Sequence, residues 1–79
     1  MMTKIGIISG EIIAFLEREK RPLCVDELQF HLEEPREIIL MSLGCLVRDG
    51  LAHIEKREPG YVVFLMGDSI GTPTSTRVR

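Results

Sequence analysis

Pro35-Arg36-Glu37-Ile38-Ile39-Leu40-Met41-Ser42-Leu43-Gly44-Cys45-Leu46-Val47-Arg48-Asp49-Gly50-Leu51 is the stretch that decides how this chain folds. Pro35 suits the first position of a helix, where its missing N–H costs nothing. Ile39, Leu43, Leu46 and Val47 recur at helical spacing and predict a buried stripe, with Leu40 at its edge. Gly50 supplies the stop. Two short apolar runs follow, residues 51–56 and 61–66, around Arg57-Glu58-Pro59-Gly60. That turn composition between alternating segments predicts a hairpin. Leu51, Tyr61, Val63 and Leu65, or their neighbours of opposite parity, are expected to close the core.

Upstream, Ile5, Ile8, Ile12, Phe15 and Leu16 predict a first helix over residues 4–20. Gly6, Gly10 and Ile13 lie beside that stripe. A rival reading makes residues 4–8 a strand with Ser9 as helix cap, since β-branched residues crowd this stretch and both glycines disfavour a helix. Pro22 ends the helix by pushing Arg21 out of the α region. Leu23 and Cys24 are then expected to form a one-bridge strand, with Cys24 a poor helix cap. A second helix over Val25–Leu32 turns Val25, Leu28 and Leu32 inward and carries Asp26 and Glu27 in its first turn, where they complement the dipole. Glu33-Glu34 is the turn. The predicted fold is α+β, in the order helix, short strand, helix, helix, strand, strand: a winged helix-turn-helix. Residues 1–66 form the domain. From Gly67 onward Gly, Ser, Thr and Pro dominate, which predicts a flexible C-terminal tail.

Bulk composition narrows the function. The chain has 79 residues, enough for one domain, and its net charge is -2. Residues 1–66 hold eight basic and eleven acidic side chains, a balance of -3. Nucleic-acid modules are usually basic because phosphate neutralisation supplies most of their affinity. Two cysteines fall short of a disulfide framework and fit a reducing cytoplasm, and no apolar run approaches a membrane span. His31 and His53 sit in no nucleophile, metalloprotease or phosphate-loop motif. The spacings Cys24 to His31 and Cys45 to His53 match no structural zinc pattern. No enzyme activity, cofactor, metal or small-molecule substrate is expected.

Two functional readings remain. In the first, the helix over residues 35–49 reads double-stranded DNA, with Arg36 and Arg48 at its two ends and Lys56 and Arg57 on the wing against phosphate. Yet the face opposite the core carries Glu37, Met41, Gly44, Cys45 and Arg48, and of these only Arg48 can read a base edge. In the second, the domain is a protein-interaction or homodimerisation module. Ile38, Met41, Gly44 and Cys45 give a weakly polar surface, Phe30 faces outward, and Gly6 and Gly10 beside Ile13 form a shallow groove that another backbone can approach. A homodimer also supplies burial that so small a domain lacks.

The spacing of Gly6, Gly10 and Ile12, followed by Leu43, Gly44, Leu46 and Arg48, resembles a small bacterial and archaeal winged-helix family of unknown function. Its pattern is I-G-x-x-A-G-x-I-W early and L-G-W-L-x-R-E in the third helix. The resemblance spans residues 4–65. Ile13 and Cys45 stand where that family carries tryptophan, and Asp49 where it carries glutamate. The resemblance implies a winged helix, dimeric, with DNA binding inferred from fold alone.

Overall fold

The computed structural model describes residues 3–66; the predicted tail, 67–79, lies outside the described residues. Three helices and three strands follow in the order α1 (Lys4–Glu19), β1 (Leu23–Cys24), α2 (Val25–Leu32), α3 (Arg36–Arg48), β2 (Ala52–Arg57) and β3 (Gly60–Leu65). The strands form one antiparallel sheet ordered β1-β3-β2. This is the α+β architecture expected, consistent with a winged helix. The initial strand offered as a rival for residues 4–8 does not form. Thr3 caps α1 instead, its hydroxyl accepting the Gly6 N–H at 3.1 Å.

Each helix end has a chemical cause. At α2, Cys24 proves a competent cap rather than a poor one. Its sulfur accepts the Glu27 N–H at 3.4 Å, and the Glu27 carboxylate accepts the Cys24 N–H at 3.0 Å. That reciprocal arrangement is a capping box with a thiol in the usual hydroxyl position. Pro35 stands one place earlier than expected, as the cap of α3. Its carbonyl accepts the N–H groups of Ile38 and Ile39, while its absent N–H would lie outside the helix. Gly50, with φ of 76°, ends α3. There the Gly50 N–H meets Val47 O at 3.0 Å and the Leu51 N–H meets Leu46 O at 2.8 Å, satisfying carbonyls the helix leaves open.

The core joins Ile8, Ile12, Phe15 and Leu16 of α1 to Ile39, Leu43 and Leu46 of α3, with Leu23, Val25, Leu28, Ala52 and Val63 closing it. Four residues expected in the core, Val47, Leu51, Tyr61 and Leu65, are exposed instead. Val47 is 44% exposed, and the fully buried Ser42 takes its place in the stripe. Positions 39, 42, 43 and 46 keep the helical period, and Ser42 Oγ donates to Ile38 O at 2.8 Å, so its hydroxyl enters the core satisfied. Leu51 is exposed, and Ala52, its neighbour of opposite parity and the first residue of β2, is buried in its place. Tyr61 and Leu65 share the face of Val63 but lie toward the sheet's ends and remain exposed. Register places Val63 opposite both Leu23 and Ile54, so the central strand carries the buried centre of the sheet. Ile5 and Leu32 are half-buried.

Candidate interaction surface

Two grooves flank α3. The first lies between the start of α2 and the β2–β3 turn, encloses about 340 Å³, and is lined by Asp26, Arg36, Arg57 and Glu58 among others. The structure therefore brings Arg36 and Arg57 together. Arg48 sits at the far end of α3, on the second groove. Lys56 neighbours Arg57 along β2, and adjacent strand positions point to opposite sides.

None of these four cations stands alone. Arg36 Nη1 lies 2.9 Å from Asp26 Oδ1, Arg48 Nε 3.3 Å from Asp49 Oδ1, and Lys56 Nζ 3.8 Å from Glu58 Oε2. Arg57 grips Glu55 Oε1 through Nη2 at 2.6 Å and Nε at 3.1 Å. Glu55 also meets His53 Nε2 at 3.2 Å. The Arg57 hydrogen bond, aided by His53, holds the Glu55 carboxyl below the ordinary carboxylate range. Arg57 further lies over the Phe64 ring, 5.5 Å from its centroid. The wing thus carries charge, but that charge is largely matched on the spot.

A similar pairing braces the cap of α2. Arg21 Nη2 donates to Glu27 Oε2 at 2.8 Å. That bond, together with the Cys24 backbone N–H, lowers the Glu27 carboxyl to about 2.

The middle of the outward side of α3 is apolar, between exposed Arg36 and Glu37 at its start and Arg48 at its end. Leu40, Met41 and Val47 are exposed there beside Gly44. Base edges are read by Arg, Lys, Asn and Gln. The chain contains no Asn, and its one Gln, Gln29, belongs to α2. Leu40 and Val47 were missed as surface residues because their hydropathy matches that of the core stripe they border.

The second groove opens between α1 and the end of α3 and encloses about 490 Å³. Gly6, Gly10 and Ile13 form one wall; Cys45, Arg48 and Asp49 form the other, with Leu51 at the end. Serines tie its floor. Ser9 Oγ donates to Ile5 O at 2.8 Å and reaches Ser42 O on α3 at 3.3 Å. A Cβ built on Gly10 meets nothing within 4 Å, and the same holds for Gly44.

Of the eight residues singled out as interface candidates, Gly6, Gly10, Ile13 and Cys45 line this one groove. Met41 and Gly44 are exposed on α3. Ile38 and Ile13 pack partly against the core. Phe30 stands apart on α2, 79% exposed, its ring 5.5 Å from that of His31, which in turn packs on Phe15 at 4.8 Å. The serine tie escaped sequence reading, although Ser42 falls three residues after Ile39 and could have been placed by period alone.

Among the described residues, no group of three or more His, Cys, Asp or Glu is placed to hold a metal ion, and no helix is long and apolar enough to cross a membrane. No family model, curated protein or solved structure matches this chain, so the meaning of its surface rests on its own geometry.

Proposed function

We propose that this chain is a non-enzymatic, cytoplasmic winged-helix module whose α3 contacts protein rather than DNA. The observation that carries this reading is the outward face of α3, where Leu40, Met41 and Val47 stand exposed between Arg36 and Arg48, the only Arg, Lys, Asn or Gln residues of the helix. An apolar helix face of this kind gains by excluding water against another apolar surface, whereas a duplex offers it mostly phosphate. The cations nearest to it support the same view, since each already has a carboxylate within 4.0 Å. Both cysteines are free, which suits a reducing compartment.

A DNA-binding, regulator-like role is the second reading, favoured by one observation: Arg36 and Arg57 share the groove between α2 and the wing. Gel retention with nonspecific duplex at low salt separates the two. The protein-contact reading expects no retained complex. A complex that dissolves steeply with added salt and weakens on Arg36→Ala or Arg57→Ala would replace it with the DNA reading.

A further inference from the structure

We infer that the groove between α1 and the end of α3 receives a second copy of this chain, docked about a two-fold axis with the α1 backbone at Gly10 as the point of closest approach. This rests on the protein-contact reading and names the partner.

The first support is a helix built against its own interest. Gly6 and Gly10 both lie within α1, where glycine is less favourable than alanine by ~1 kcal/mol. Glycine at such a place usually makes room for a neighbour inside the domain. At Gly10 there is no such neighbour, because a methyl group there meets nothing within 4 Å. The space is open toward the groove, and only something outside this copy can use it. The bare wall faces a half-buried thiol, Cys45, and an exposed leucine, Leu51. The hydroxyl of Ser9, the one serine lining the groove, is spent on Ile5 O, so the floor makes little polar demand on a visitor.

The second support is charge. The groove's lining carries one cation and one anion, Arg48 and Asp49, adjacent in sequence and both largely exposed. Arg48 engages Asp49 through Nε alone; its two Nη nitrogens have no hydrogen-bond partner among the described residues. In a two-fold interface, residue i meets j and j meets i. A lip bearing both signs side by side is therefore complementary to itself: the Nη pair of each Arg48 can reach the other copy's Asp49. Nucleic acid or a strongly acidic protein would find Asp49 opposed, and a basic protein would find Arg48 opposed. A second copy satisfies both charges.

Sedimentation equilibrium of the full chain at about a hundred micromolar tests this. The expected result is a dimer whose dissociation constant rises at least about tenfold on Gly10→Lys, since a long side chain overfills a contact built for backbone. Because that position is open, the variant keeps its circular dichroism, and in dilute solution, where the monomer prevails, its melting temperature does not fall below that of the wild type. Charge exchange provides a second arm. Arg48→Asp and Asp49→Arg alone should each weaken the dimer, and the double variant should recover it.

A wild-type chain that stays monomeric overturns the inference, as does a dimer indifferent to Gly10→Lys. None of these outcomes touches the reading of α3 as a protein face, which duplex retention decides separately.

Discussion

The groove beside the wing holds Arg36 and Arg57 with Asp26 and Glu58, whereas the groove beside α1 has a wall of glycine backbone and a single pair of opposite charges at its lip. By residue count the first looks the more active. Its charges, however, are met within the fold: Arg36 by Asp26, Arg57 by Glu55. Arg48 of the second groove is likewise paired, with Asp49, so pairing alone does not separate the two grooves. In the second groove nothing within the domain uses the open side of Gly10. The contrast teaches that availability, rather than number of functional groups, distinguishes a binding surface from a solvated one.

The two regions should also answer differently to substitution. Leu46 is 4% exposed and lies under the α1 groove as part of the core, so Leu46→Ala is expected to cost ~3 kcal/mol in urea unfolding. Arg36→Ala in the wing groove, removing an exposed ion pair, should cost no more than ~1 kcal/mol. Equal losses would break the distinction between a groove rooted in the core and one laid on the surface.

Glu27 provides an intermediate effect. Its carboxyl titrates at about 2 in the folded chain against an ordinary 4.5. Its contribution is therefore full above about pH 4.5 and is lost as pH falls toward 2. Because the side chain is about a third exposed, solvent screening leaves ~1 kcal/mol of the nominal shift. Glu27→Gln should lose that amount at pH 7, with a flatter decline in stability between pH 4.5 and 2. An unchanged acid profile would show that Arg21 and the Cys24 N–H do not hold the carboxylate in solution.

The smallest effect has the opposite sign. Gly10→Ala should raise the stability of the monomer, measured in dilute solution, by ~0.5–1 kcal/mol, because the methyl group has room and the helix gains propensity. A destabilised monomer would mean that Gly10 serves packing within the domain.

Much of the fold was legible because local rules agreed. Ile39, Leu43 and Leu46 set the phase of α3, Gly50 ends it with a positive φ, and Pro59-Gly60 turns the hairpin. Val63 at the buried centre of β3 was also within reach. What stayed hidden depends on contacts distant in sequence or on hydrogen bonds that hydropathy ignores. Ser42 reads as polar until its bond to Ile38 O is seen, and Val47 reads as core until Ser42 displaces it. The parity of β2, which the sequence left open, is set by its pairing with β3, where Ile54 lies opposite Val63. Arg36 reads as free because Asp26, ten residues away, meets it only in the folded chain.

The position of β3 has a consequence for how this domain is made. It is the last described strand along the chain and the central one of the sheet. During synthesis, α1 and α3 can meet early, but Leu23 and Cys24 have no strand to pair with until Val62 and Val63 leave the ribosome. Ile54 waits for the same arrival. A nascent chain stopped short of residue 62 therefore holds its helices beside two unpaired strands, exposed to whatever edge it meets first. Completion of the sheet waits for β3, which pairs with both of its neighbours.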